Sequence, residues 1–276
     1  MKEMAFVCPV CARPLCLEER VYRCAEGHAF DLAAAGYVNL FLTQTSSAKR
    51  HGDDKRMIRA RKEFLDTGAY ACLSGPLVEK SLALLPEKGT FLDAGCGEGH
   101  YTAILADKLA ESGKEATLLG VDLSKEAVIY AAKRKRKIAF AVASVYHLPL
   151  ADESVDLVWN IFSPLAEEEY LRVLKKGGHL LRAYPLEEHL MGLKEQVYEQ
   201  VYENKPEEKE LAGLRLMETT EIRSALQLEG NEQIMALFSM TPYYYKTSAS
   251  DQQKLAGLQR LNTPIAFGLS LYRKEG

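Results

Sequence analysis

The chain has 276 residues, 47% of them hydrophobic and 26% charged, with a net charge of −3. That is enough to bury one large core and a small satellite, in the proportions of an ordinary globular protein rather than a disordered or fibrous one. The longest apolar runs are strand-sized, which argues against a membrane-spanning helix. The start, Met1-Lys2-Glu3-Met4, has no leader-like apolar stretch, and a cytoplasmic location is expected.

Cys8, Cys11, Cys24 and His28 open the chain as Cys-x2-Cys-x12-Cys-x3-His. Three thiolates and an imidazole at this spacing suit a closed, tetrahedral, structural zinc site, each pair bracketing a tight turn. Cys16 fits neither turn and is left out; a disulfide is disfavoured in a reducing compartment. Residues 30–40 read as the segment packing this module onto the body. Thr43 to Gly52 has loop composition. Asp53 or Asp54 can then cap a helix through Leu65, with Met57, Ile58, Phe64 and Leu65 inward and Arg56, Arg59 and Lys62 outward. Residues 1–62 hold 11 Lys/Arg against 7 Asp/Glu, so the rest of the chain carries −7. Such a basic segment on an acidic body can steer a polyanion; a solvated helix face explains it equally well.

A helix is expected from Ala71 to Leu85, stopped by Pro86. The stretch that organises the rest is Phe91-Leu92-Asp93-Ala94-Gly95-Cys96-Gly97-Glu98-Gly99. It reads as a buried strand, a glycine turn and a helix to residue 112. Gly95, Gly97 and Gly99 let a ligand approach the backbone, at a helix N-terminus. Strand 117–122 ends in Asp122, 29 residues after Asp93, where a carboxylate can accept ribose hydroxyls. The competing reading is that Asp122 only caps the helix starting at Ser124. No Gly-Lys-Ser/Thr follows, so this is no P-loop, and the glycine spacing departs from dinucleotide sites.

The Asp-x-Gly-x-Gly-x-Gly form resembles the first motif of class I S-adenosylmethionine-dependent methyltransferases. Leu148-Pro149-Leu150 and Leu174-Lys175-Lys176-Gly177-Gly178 resemble their turns into the fourth and fifth strands. The expected fold is therefore α/β, Rossmann-like, with a small N-terminal zinc-binding module. Helix 125–136 and strands 138–143, 155–161 and 178–184 complete the parallel part. The run Lys133 to Lys137 suits a helix C-terminus, favoured over an RNA contact. Ser144 stands where many such enzymes hold the adenine through Asp. Asn160-Ile161-Phe162-Ser163-Pro164 lacks the Pro-Pro-aromatic of exocyclic-amine methylation, leaving a ring nitrogen open. Phe162 is split evenly between core packing and base stacking. Beyond that, a helix from about Leu190 to Glu203, strand 224–228, helix 230–240 and strand 265–272 finish the chain. Tyr243, Tyr244 and Tyr245 favour core packing over base stacking.

Taken in order, the zinc spacing, "HAFDLAAAGYVNL", "HGDDKRMIRARKEFLDTGAY" and "LDAGCGEGHYT" resemble the RlmA family over nearly the full length. These are zinc-bearing 23S ribosomal RNA guanine-N1 methyltransferases, some of which confer macrolide resistance. The resemblance implies zinc at Cys8, Cys11, Cys24 and His28. It implies S-adenosylmethionine contacts from Tyr70, Gly97, Glu98 and His189, beside the Asp93, Gly95, Gly99 and Asp122 read from the motif. It further implies a domain II stem-loop of 23S rRNA as partner and a homodimer whose zinc modules help form an RNA cleft. The organisation expected is a zinc-binding RNA-recognition module at 1–40, a basic linker and helix at 41–70 and the methyltransferase domain at 71–276. A small-molecule methyltransferase and a non-catalytic RNA-binding assembly factor are the alternatives. The proton acceptor, the guanine modified, and resistance versus housekeeping are left open.

Overall fold

The computed structural model describes residues 2–42, 55–134, 136–206 and 210–276. The expected linker Thr43 to Gly52 and the caps Asp53 and Asp54 fall outside these, as does Lys135.

Four short strands, β1 (Lys2–Val7), β2 (Pro14–Glu18), β3 (Val21–Arg23) and β4 (Ala29–Asp31), form an antiparallel sheet in sequence order. Two of its three turns, β1–β2 and β3–β4, carry the Cys pair and the Cys–His pair. The next strand, β5 (Tyr37–Asn39), leaves this sheet and pairs in parallel with the outer strand of the large one. The N-terminal module is thus stitched to the body. Val7 N–H also donates to Pro149 O at 2.8 Å, and Phe6, Leu15 and Tyr22 share a buried cluster with Leu148 and Leu150.

Helix α1 (Lys55–Leu65) buries Met57, Ile58, Ala60, Phe64 and Leu65, the face its spacing predicts. Then come α2 (Ala71–Leu84), β6 (Thr90–Ala94), α3 (His100–Ser112), β7 (Thr117–Asp122), α4 (Lys125–Lys133), β8 (Ile138–Val142), β9 (Val155–Ile161), α5 (Glu167–Val173) and β10 (Leu174–Pro185). The C-terminal third adds α6 (Met191–Val197), β11 (Leu214–Glu229), α7 (Asn231–Ser239), α8 (Tyr243–Lys246), α9 (Ala249–Ala256) and β12 (Arg260–Lys274).

The eight-stranded sheet runs β11-β12-β10-β9-β6-β7-β8-β5, parallel from β10 to β5, with β12 antiparallel to β10 and β11 antiparallel to β12. The central strands bury nearly every residue, as expected of a parallel sheet covered on both faces. Strand order reverses between β6 and β9, and ligands of open α/β sheets bind outside the carboxyl ends at such a point. No described helix is long and apolar enough to cross a membrane.

Helices α5, α8 and α9 were not expected, α4 ends at Lys133 rather than 136, and β12 starts at Arg260 rather than 265. Two further differences have a visible cause. The helix after His189 ends at Val197 rather than Glu203. The buried Lys194 ammonium donates to Tyr202 O at 3.0 Å and Asn204 Oδ1 at 2.8 Å, which folds the following chain back. The strand expected at 224–228 runs from Leu214. It is the sheet edge, exposed along most of its length, so Glu218-Thr219-Thr220-Glu221 carries no apolar alternation to betray it.

Candidate active site

At the reversal point the structure opens a cleft of about 760 Å³. Tyr70, Asp93, Gly95, Gly97, Glu98, Asp122 and His189 all line it, and Gly99 does not. Gly97, at φ +54°, faces open space: an added Cβ would meet only Arg61 Nη1, at 3.8 Å. Gly95, at φ +89°, is held by packing instead, since a Cβ there would collide with Ser163.

Asp93, the penultimate residue of β6, is 2% exposed. Thr102 Oγ1, on α3, donates to its Oδ2 at 2.5 Å, while Oδ1 is buried with no partner among the described residues. Burial pushes its pKa up to about 7 despite the Thr102 hydrogen bond, with Asp122 and Glu98 adding repulsion. A buried carboxylate oxygen without a donor fits a cation, and S-adenosylmethionine carries an ammonium at one end.

Asp122 accepts from Gly97 N–H at 2.9 Å through Oδ2 and from Ser124 N–H at 2.7 Å through Oδ1. The Ser124 hydroxyl itself caps α4, by accepting from Ala127 N–H. Asp122 therefore ties the glycine turn to β7, and a carboxylate has lone pairs left for a diol. Ser144, which also lines the cleft, accepts from Tyr146 N–H at 3.2 Å.

Glu98 is 2% exposed and pairs with Arg134, which also reaches Asp66 at 3.0 Å. Arg136 pairs with Asp107. Two cations of the 133–137 run are thus committed within the fold. His189 Nδ1 accepts from Ala266 N–H at 3.2 Å, so the neutral ring carries its proton on Nε2, 3.4 Å from Tyr70 Oη. Burial, reinforced by Lys194, drops the His189 pKa to about 3. His189 is a fixed donor and not a base.

In the N-terminal module, the ligand atoms of Cys8, Cys11, Cys24 and His28 lie within 4.8 Å of one another. Cys11 Sγ to Cys24 Sγ is 3.7 Å and Cys24 Sγ to His28 Nδ1 is 3.4 Å. A tetrahedron with zinc–sulfur bonds of about 2.3 Å has edges of about 3.8 Å, so the donor set fits zinc. Cys16 lies outside the cluster.

The family model described as "Methyltransferase domain" matches residues 86–245, and "RlmA, N-terminal" matches residues 6–49. The chain is 38% identical over 189 residues to a 23S rRNA (guanine(748)-N(1))-methyltransferase of Streptomyces fradiae, covering 67% of this chain and 65% of that protein. It is 36% identical to a putative 23S rRNA (guanine-N(1)-)-methyltransferase of Micromonospora griseorubida, covering 67% of each. With the putative 23S rRNA (guanine-N(1)-)-methyltransferase YxjB of Bacillus subtilis it shares 34% over 70% of this chain and 68% of that one. The chain belongs to the RlmA family of methyltransferases. As in that family, a class I fold that uses S-adenosylmethionine is joined to an N-terminal zinc ribbon.

Around the RlmA-type cleft, sequence reading missed several residues. Helix α1 roofs the glycine turn: Lys55 pairs with Glu126 at 3.1 Å, Arg56 lies 4.8 Å over the Tyr244 ring, and Met57 and Arg61 line the cleft. Phe162 is no core residue. It is 46% exposed, sits at φ +52° at the end of β9, and leans on Phe267 with ring centroids 5.6 Å apart. Of the three tyrosines, Tyr243 is buried and Tyr245 is 53% exposed. Thr102 could have been found from its place nine residues after Asp93, on the inward face of α3. Arg182, in the cleft wall on β10, has no local signal.

Proposed function

We propose that the chain methylates N1 of a guanine in a domain II stem-loop of 23S ribosomal RNA. The observation that carries this reading is the pairing of a zinc ribbon at 6–49 with a methyltransferase domain at 86–245, together with relatives that are named for guanine-N1 methylation of 23S rRNA. When bound, S-adenosylmethionine supplies an electrophilic methyl group on a sulfonium. Asp93 balances its ammonium. Gly97 admits its amino-acid end, Asp122 holds the ribose, and Tyr70 and His189 close the cleft over it. Glu98 holds the glycine turn through Arg134. The protein's contribution is position and electrostatics. Phe162, exposed at the mouth, offers a stacking face to an unpaired base.

The zinc module, joined to the edge of the large sheet through β5, supplies the RNA-facing surface, and the working form is a homodimer in the cytoplasm. The test is methyl transfer from labelled S-adenosylmethionine to unmethylated 23S rRNA, with primer extension mapping the product. N1-methylguanine blocks pairing, so a stop in the domain II stem-loop is expected. Absence of label in folded, zinc-loaded protein, with label entering a small-molecule acceptor instead, removes the reading. Light scattering checks the dimer.

A further inference from the structure

On the wall of the cleft formed by the carboxyl ends of β9 and β10, Asn160 and Arg182 sit in direct register on neighbouring parallel strands. Asn160 is 1% exposed. Its Nδ2 donates to Ser163 O and Pro164 O, each at 3.1 Å, and lies 2.6 Å from Ser163 Oγ and 3.2 Å from Tyr170 Oη. Two carbonyls can only accept, which fixes the amide orientation. No described residue donates to Oδ1, which is left to the cleft that Asn160 lines. Arg182 is 6% exposed, lies 4.9 Å over the Tyr184 ring and hydrogen-bonds the buried Tyr272 hydroxyl. A guanidinium has five coplanar donors, enough to hold a hydroxyl and read a base edge at once.

The wall therefore carries an acceptor residue on β9 and a donor residue on β10, their backbones one strand spacing apart (about 4.8 Å), next to the exposed ring of Phe162. The pairing edge of guanine is the complement: O6 accepts, the N2 amino group donates, and N1–H lies between them. Adenine offers a donor where guanine has O6 and nothing at position 2, so it meets donor with donor.

We propose that Arg182 and Asn160 read the target guanine, Arg182 donating to O6 and Asn160 Oδ1 accepting from the N2 amino group. This rests on the guanine-N1 reading above. N1 is then left facing the methyl donor. In the transfer, the N1–carbon bond forms as the carbon–sulfur bond breaks. The electron pair of the broken bond stays on sulfur, which leaves as a neutral thioether. The N1 proton passes to water, and its bonding pair remains in the purine. Negative charge gathers on O6 as that proton leaves, where a guanidinium is placed to stabilise it. Asn160 is neutral and only positions the base.

The experiment uses the full-length, zinc-loaded protein and a synthetic stem-loop carrying guanine or inosine at the methylated position. Inosine keeps O6 and N1–H and lacks the N2 amino group. For the wild type, inosine is expected to lower kcat/KM roughly tenfold or more, the worth of one lost base-edge contact. Arg182→Gln is expected to lower kcat on guanine roughly tenfold to a hundredfold, to move the rate profile to higher pH, and to leave S-adenosylhomocysteine affinity within about twofold. Arg182→Lys recovers part of the rate. Asn160→Ala is expected to treat guanine and inosine alike. Wild-type protein that methylates both bases equally, or Arg182→Gln with an unchanged rate and pH profile, overturns the assignment while guanine methylation stands. A wild type that methylates no guanine overturns the parent reading and this one with it. If a variant misfolds, the wild-type comparison of guanine with inosine decides.

Discussion

Thr102 in the first turn of α3 donates to Asp93 near the end of β6, and this single 2.5 Å hydrogen bond is what the buried carboxyl receives from the described residues. It does not offset burial, and the pKa of Asp93 stands at about 7 against an ordinary 3.8. Without cofactor, Asp93 is largely protonated below neutrality.

Cofactor binding should therefore depend on pH. An ammonium arriving at Asp93 favours the ionised form, so binding releases a proton below pH 7. Affinity for S-adenosylhomocysteine, which carries the same ammonium, is expected to fall roughly tenfold for each unit below about pH 7. Calorimetry in buffers of different ionisation enthalpy reads the proton directly. The stability of the cofactor-free protein moves the other way. A carboxyl raised in the folded state contributes stability that is complete below pH 3.8 and lost as pH rises through about 7. Asp93→Asn abolishes both dependences; a binding curve flat from pH 5.5 to 8 in the wild type refutes the assignment.

Arg134 is the partner of a carboxylate that is only 2% exposed. Arg134→Met leaves Glu98 buried and unpaired, which costs about 3–5 kcal/mol. Adding Glu98→Gln should recover most of that loss, because the uncompensated charge is gone. Urea unfolding of the two singles and the double measures the coupling. A loss below 1 kcal/mol in the single would show that Arg134 serves the helix terminus or a ligand instead.

What the sequence revealed follows from range. The zinc ligands and the glycine turn are short-range patterns whose spacing is itself the geometry, so Cys8, Cys11, Cys24 and His28 fall together and Asp93, Gly95 and Gly97 line one cleft. The parallel strands were legible because burial on both faces makes them continuous apolar runs. Arg182 and Asn160 were not legible as a pair, since only sheet register makes residues 22 apart in sequence neighbours. Edge strand β11 was cut short for want of a buried face, and α6 was overextended because the Lys194 tether that ends it reaches residues eight and ten positions on, beyond the helical period.

Phe162 should separate function from stability. Its side chain is exposed and its backbone sits in the left-handed region, which costs a residue with a Cβ about 1–2 kcal/mol. Phe162→Gly relieves that strain, so the melting temperature should hold or rise although the contact with Phe267 is lost. RNA methylation should fall roughly tenfold to a hundredfold with the loss of one stacked base, and S-adenosylhomocysteine affinity should not change. A drop in melting temperature with activity intact would make Phe162 a packing residue.

The zinc ion is expected to stabilise more than its own module. The turn holding Cys8 and Cys11 directly follows Val7, whose N–H bonds to Pro149, and β5 sits in the large sheet. Structural zinc holds small modules folded outright, so its removal frees β1 to β4 and loosens the edge beside β8. Cys24→Ser, or chelation under mild denaturant, should lower the melting temperature by several degrees, since about 1 kcal/mol corresponds to 2–4 °C in a chain this size. Limited proteolysis should then cut before Tyr37. Cofactor affinity should survive within a few fold, because β6 and β7 carry that site from the middle of the sheet, while methylation of RNA is lost. A stripped protein that still methylates the stem-loop at the wild-type rate would show that the zinc module is dispensable for substrate recognition.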